Sequence, residues 1–234
     1  MSKGIFITGT DTGVGKTMLT AVLAVTLRAQ GLRVGVMKPA EAGCEEHNGE
    51  LYAQDAHLLQ TMSGCQAPLE LIVPYRLREP LAPALAAEHE GVQVDLRHIA
   101  ACYSRLASAH DVVLIEGAGG LMVPLTENES YLDLAALLDV PILIAARNIL
   151  GTINHTALTA IVAAQRCSVL GIVLNELDAQ QRDLSQASNG ESLRRWGRAP
   201  LLGTLAYTPE LTPMALLHLG LELDLTPILQ HLGR

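Results

Sequence analysis

Short apolar, β-branched runs alternate along the chain with segments whose apolar positions recur every three or four residues. Residues 5–8, 34–37, 112–116, 142–146, 169–174 and 201–205 form runs of the first kind, each bounded by Gly, Pro or Asp. Runs that are apolar throughout, rather than alternating, predict strands buried on both faces of a parallel sheet. Residues 18–30, 95–108, 131–138 and 154–166 carry the helical period, and 223–232 reads as a short closing helix with Asp224 or Thr226 near its start. In 95–108 the apolar stripe is Leu96, Ile99, Tyr103 and Leu106, with Asp95 placed to cap it. Strand, helix, strand repeated in this way predicts an α/β fold, a parallel sheet with helices on both faces, in a single domain over 1–234.

Two longer loops break the alternation, 39–50 and the proline-bearing 73–83. Loops at the carboxyl ends of strands are where open α/β sheets bind ligands. With 49% hydrophobic residues in 234 positions, the chain can bury a sizeable core, roughly 70% of its unfolded surface. No apolar stretch reaches the roughly 18 residues a membrane span needs, and the start lacks a basic-then-apolar signal, so a cytoplasmic location is expected. Cys44, Cys65, Cys102 and Cys167 show no C-x-x-C spacing and read as scattered core thiols. A net charge of −8 without basic blocks argues against nucleic acid and anionic membranes as partners. Aromatic residues, 3% of the chain, give few platforms for stacking bases.

The chemistry concentrates where strands end. After the apolar run 5–7 comes Gly9-Thr10-Asp11-Thr12-Gly13-Val14-Gly15-Lys16-Thr17, and then the first helix, which continues through Met18. A glycine-bearing turn between strand and helix aims backbone N–H groups and the helix's positive end at phosphate oxygens. Lys16 would reach the β/γ-phosphates and the Thr17 hydroxyl would ligate Mg²⁺. Five residues rather than four separate Gly9 from Gly15, a departure from the usual spacing. Lys38-Pro39 follows the second strand, where an ammonium either neutralises a transferring phosphoryl group or is simply solvated. Asp55 is either a helix cap or a metal ligand. Glu116 ends an apolar strand and so needs a partner for its charge, and Gly117, Ala118, Gly119 and Gly120 let backbone approach a ligand closely. The amides that open the helix after Leu150 suit a carboxylate, and the Asn175 amide suits a base edge or a turn. His155 is assigned no role.

Taken together these segments resemble the dethiobiotin synthetase family, a branch of the P-loop NTPase fold, over nearly the whole chain. The longer loop 9–17, Lys38-Pro39 followed by Gly43, Asp55, Glu116–Gly120 with Val123-Pro124-Leu125, residues 150–155 and Asn175 stand in family order. The resemblance implies ATP- and Mg²⁺-dependent closure of 7,8-diaminononanoate and CO₂ into dethiobiotin, with CTP as a second possible nucleotide. It further implies that Gly13, Val14, Gly15, Lys16, Thr17 and Met18 hold the triphosphate, and that Thr17, Asp55 and Glu116 hold Mg²⁺. Gly117, Ala118 and Gly119 border the nucleotide, and Asn175, Glu176 and Glu210 surround base and ribose. Lys38 and Lys16 act on the reacting anions, and Thr12, Lys38 and Ala42 meet the substrate. Gly151, Thr152, Ile153 and Asn154 receive the substrate carboxylate from the other subunit of a homodimer.

Three positions depart from the family pattern. Ala42 stands where a Ser or Thr hydroxyl usually meets the substrate, leaving Glu41 or a water as the available substitute. A lost hydrogen bond to a charged group costs roughly 1.5–3 kcal/mol. Ala206 replaces a proline beside the base, and Gly13 replaces an acidic residue of some members. Partitioning ATPases share the broad fold, but their signature lysine falls where this chain has Asp11, and the carboxyl terminus is not a basic amphipathic helix. A divergent nucleotide-binding homologue without activity is the remaining alternative.

Overall fold

A computed structural model describes residues 4–180 and 183–234. In chain order the elements are β1 (Gly4–Gly9), α1 (Lys16–Ala29), β2 (Val34–Met37), β3 (Ala40–Ala42), β4 (Glu45–His47), β5 (Glu50–Tyr52) and α2 (Gln54–Ser63). Next come α3 (Leu69–Ile72), β6 (Tyr75–Leu77), α4 (Pro83–Glu90), α5 (Leu96–Ala109), β7 (Val112–Gly120) and α6 (Tyr131–Leu137). The chain continues through β8 (Ile142–Arg147), α7 (Thr152–Ala163), β9 (Val169–Asn175), α8 (Gln186–Trp196), β10 (Leu201–Leu205), α9 (Pro213–Leu221) and α10 (Thr226–His231).

All six predicted strands form, and they pair in parallel in the order β10-β9-β8-β1-β7-β2. Successive side chains on a strand point to opposite faces, so the apolar runs feed two cores. Ile5, Ile7, Leu114 and Leu143 pack with α1, α2, α9 and α10, whereas Phe6, Val113, Ile115 and Ile144 pack with α5, α6, α7 and α8. β1 lies between β7 and β8, with the earlier strands on one side and the later ones on the other. That reversal opens a crevice at the strand carboxyl ends, the place where such sheets take ligands. Among the described residues no helix is long and apolar enough to cross a membrane.

The two predicted loops contain short strands. β3 pairs in parallel with β6, with Glu41 opposite Arg76, and β4 pairs with β5 around Asn48-Gly49. Both turn residues have positive φ, 55° and 84°, the geometry of a tight hairpin whose twist matches its strands. The pattern of apolar residues predicts neither α8 nor α9. α8 buries Asn189 and Leu193 with few other apolar residues to mark a period, and α9 is leucine-rich on several sides. Asp95 does cap α5, its carboxylate accepting from the Arg97 amide at 2.8 Å. Asp55 is not a cap. Ala53 occupies that position of α2, and Asp55 lies in the first turn.

Candidate functional site

The crevice is a cleft of ≈ 880 Å³ into which α1, the end of β2, β3, the start of α2 and the end of β7 all lead. Gly15 is the pivot of its phosphate loop. With φ at 87° it is the N-cap of α1, and a Cβ there would meet Asn175 Nδ2 at 2.7 Å and Leu177 Cδ2 at 2.9 Å. No side chain caps α1. The first-turn amides of Lys16, Thr17 and Met18 therefore face outward, with the helix's positive end behind them. Lys16 is 7% exposed and its ammonium donates to the Asp11 carbonyl at 3.1 Å. Burial brings its pKa down to about 8; Glu116 opposes the shift, and repulsion from Lys38 adds to it.

Lys38 is not a solvated strand-end lysine; it is buried, with Nζ 2.6 Å from Asp55 Oδ2 and 2.5 Å from Glu116 Oε1. Burial works against its charge, but the Glu116 and Asp55 carboxylates outweigh that penalty and raise its pKa well above the ordinary lysine range. Thr17 Oγ1 also donates to Glu116 Oε1, at 2.8 Å. Glu116 is fully buried, and its Oε2 has no hydrogen-bond partner among the described residues. An orphaned carboxylate oxygen at zero exposure is costly unless a cation or donor reaches it. Thr17, Asp55 and Glu116 bring only oxygen donors to this point, the chemistry that Mg²⁺ takes. The residues present fit that ion.

Glu41 lies beside them on β3 and lines the cleft. Its two carboxylate oxygens accept from the Asp55 and Ala56 amides at 2.9 and 3.0 Å. Burial raises its pKa, with Lys38 and those two amides acting against the rise. Ala42 lines the cleft with a methyl group and offers no donor. Thr12, Gly13, Ala118 and Gly119 line it as well, and Gly117 is packed in β7 against Phe6.

Asn175 is 1% exposed and serves the phosphate loop. Its Nδ2 donates to the Val14 carbonyl at 2.7 Å and the Gly15 carbonyl at 3.2 Å, while Oδ1 has no partner among the described residues. Glu176 accepts from Asn148 Nδ2 at 3.2 Å, and Asn148 in turn accepts from the buried Asn189 at 2.9 Å. Glu210 is exposed, with its amide donating to Thr208 Oγ1 at 3.1 Å, and does not line the cleft. Gly151, Thr152, Ile153 and Asn154 stand outside it too, at a helix start without a side-chain cap.

The cleft also draws on Pro80, Leu81, Ala82, Pro83, Val123 and Leu177. The first four belong to the loop 73–83 that the sequence marks as ligand-facing, although no single residue type there signals contact. Leu177 carries no signal at all. It is an ordinary apolar residue placed by the end of β9.

A family model described as an AAA domain matches residues 3–215. The ATP-dependent dethiobiotin synthetase BioD of Anaeromyxobacter sp. (strain K) is 44% identical over 214 residues, 91% of this chain and 94% of that protein. Its namesake in Thermodesulfovibrio yellowstonii is 38% identical over 219 residues, 90% of this chain and 91% of that one. The cell division ATPase MinD of Pyrococcus furiosus superposes with a TM-score of 0.58 at 19% identity, covering 95% of this chain and 98% of its own. The septum site-determining protein MinD of Pyrococcus horikoshii OT3, solved with Mg-ADP, gives 0.56 at 17% identity, covering 100% and 91%. Identities that low show the P-loop NTPase-like α/β fold alone, whereas the sequence matches reach further. Carried by close identity over nine-tenths of its length, the chain belongs to the family of ATP-dependent dethiobiotin synthetases.

Proposed function

We propose that the chain is an ATP-dependent cyclo-ligase of biotin biosynthesis that closes 7,8-diaminononanoate and CO₂ into the cyclic urea of dethiobiotin. One amine adds to CO₂ and loses a proton, giving a carbamate. A carbamate oxygen then attacks the γ-phosphorus of ATP, releasing ADP and forming a carbamic-phosphoric anhydride. The second amine attacks the carbonyl carbon, inorganic phosphate leaves, and the ring is closed. A carbamate is a poor electrophile until its oxygen is made a leaving group, which is the purpose of the phosphoryl transfer.

The difficulty is that carbamate and triphosphate repel each other. The observation that carries the reading is that Lys16 and Lys38 line one cleft together with Thr17, Asp55 and Glu116. The amides from Gly13 to Met18 would seat the triphosphate, and Lys16 would approach its terminal oxygens. Lys38, held protonated by its two carboxylates, acts as a fixed positive charge for the carbamate and the γ-phosphate rather than as an acid. Fixed charges need no reorganisation as the reaction proceeds, which is where their catalytic value lies. Thr17, Asp55 and Glu116 would hold Mg²⁺, which when bound supplies neutralisation of phosphate charge. The unpartnered Oδ1 of Asn175 would accept from an exocyclic amine, a group that adenine and cytosine share. ATP and CTP are both compatible with that contact.

In the same reading the protein is a homodimer. Gly151, Thr152, Ile153 and Asn154 lie outside their own cleft, and the nearby Leu150, Leu158 and Ile161 are 77%, 56% and 46% exposed. A second copy packed on α7 would cover that apolar surface and bring the helix start to its neighbour's cleft, where it would receive the substrate carboxylate.

The decisive assay incubates the full chain with 7,8-diaminononanoate, bicarbonate, Mg²⁺ and ATP or CTP, and measures dethiobiotin by mass. The expected result is one nucleoside diphosphate released per dethiobiotin formed. Nucleotide hydrolysis with no dethiobiotin would overturn the proposal.

A further inference from the structure

The machinery described so far leaves one buried charge without a task. Glu41 is 7% exposed and sits midway along the three-residue strand β3, borne there by the parallel pairing with β6 that sets it opposite Arg76. Its carboxylate straddles the start of α2, with Oε1 on the Asp55 amide and Oε2 on the Ala56 amide. α2 has no cap of its own, because Ala53 cannot supply one. Helix starts leave amides unsatisfied, and a carboxylate at that end is favoured by both hydrogen bonding and the helix dipole. The cap here is brought from another element.

What makes this more than a helix cap is the residue whose amide it holds. The Asp55 side chain turns the other way and meets Lys38 at 2.6 Å. Residues 38 and 41, on one short stretch after β2, thus grip Asp55 from two sides. Lys38 takes the carboxylate and Glu41 takes the backbone. The bonds from both sides fix where the Asp55 oxygens stand relative to Thr17 and Glu116.

We propose that Glu41 is a positioning residue for the metal site, which by holding the first-turn amides of α2 fixes the Asp55 carboxylate at its place beside Lys38. The inference rests on the reading of Asp55 as a Mg²⁺ ligand. Glu41 itself lines the cleft, and the proposal predicts that its effect on the metal nonetheless runs through Asp55.

A double-mutant cycle in the full chain tests it, with Mn²⁺ as the probe, bound in the presence of ATP and counted by electron paramagnetic resonance. Glu41→Ala should weaken Mn²⁺ binding about tenfold, the usual scale for groups that orient a ligand. It should raise by the same factor the Mg²⁺ concentration needed for half-maximal turnover. In an Asp55→Asn background the same change should alter Mn²⁺ binding less than about twofold, because interacting residues do not act additively. Glu41→Gln keeps one acceptor oxygen and the side-chain volume, and gives an intermediate loss if the alanine variant does not fold. A purely structural cap would lower the melting temperature and leave Mn²⁺ binding by the folded protein unchanged; that result overturns the proposal. So does a loss of equal size in both backgrounds, which leaves the reading of Asp55 intact. Full Mn²⁺ affinity in Asp55→Asn alone would instead remove Asp55 as a ligand, and the role of Glu41 with it.

Discussion

Lys16 and Lys38 share a cleft but not an electrostatic situation. Lys38 is ion-paired with Asp55 and Glu116, whereas Lys16 donates to a backbone carbonyl, and burial lowers its pKa to about 8. Replacing each by alanine separates the two. Lys16→Ala removes a buried charge that is hydrogen-bonded to a backbone carbonyl and not to a carboxylate, so turnover should fall on the order of 10²–10³-fold with no loss of melting temperature. Lys38→Ala should lose turnover and also destabilise by roughly 3–5 kcal/mol, because it strands the Glu116 carboxylate in the interior. Single-turnover kinetics and thermal melts read both, and a Lys38→Ala protein with full stability would contradict the buried pair. The pKa of Lys16 gives a second prediction. Its folded value lies below the ordinary 10.5, so the ammonium loses its charge as pH rises through about 8. ATP affinity measured by calorimetry in chelator, without metal, should weaken between pH 7 and pH 9. Lys16→Arg, which stays charged throughout, should flatten that profile.

At the scale of elements, the strands and caps follow from local sequence, and the short pieces around the cleft do not. Asp95 shows how far local chemistry reaches, since it caps α5 with its own carboxylate as its position before the apolar stripe predicts. Asp95→Ala should cost about 1 kcal/mol in urea unfolding and leave turnover unchanged, because α5 contributes nothing to the cleft. A change in kcat would show that α5 is coupled to the site. α2 is the opposite case. Its start is secured by Glu41, fourteen residues before Asp55 and on strand β3, and no window of sequence around 53–56 displays that cap. The β4–β5 hairpin stood in plain view as His47-Asn48-Gly49-Glu50, yet a three-residue strand on each side is too short for alternation to mark it. α8 hides for a different reason. What it buries is an asparagine, whose amide bridges Asn148, Ile149 and Ser185, and an apolar period cannot report a polar contact.

The whole molecule presents a sheet shielded on both faces and an apolar surface that is not shielded. Leu158 and Ile161 fall three positions apart on α7, on its outward side, with Leu150 just before the helix. The homodimer reading makes a clear demand of them. A Leu158→Glu, Ile161→Glu double variant should run as a monomer by light scattering, melt within a few degrees of the parent, and lose turnover because its clefts lack the partner's helix start. A monomeric variant that retains full activity would show each cleft to be complete in itself.

Sequence alone determined the strand-helix alternation, the phosphate loop, the family, and the identity of the ionic residues at the strand ends. These are properties of local pattern: buried parallel strands must be apolar throughout, and a phosphate cradle must have glycine where φ is positive. Tertiary structure decided what those ionic residues do to one another. That Lys38 is buried between two carboxylates, that Glu41 is spent on a helix start, and that Asn175 braces the phosphate loop all depend on which strands are neighbours. Lys38 and Glu116 are 78 residues apart in the chain and meet only because β2 and β7 pair at the sheet edge. Charge–charge energy depends on distance and burial, and neither quantity exists until the chain has folded.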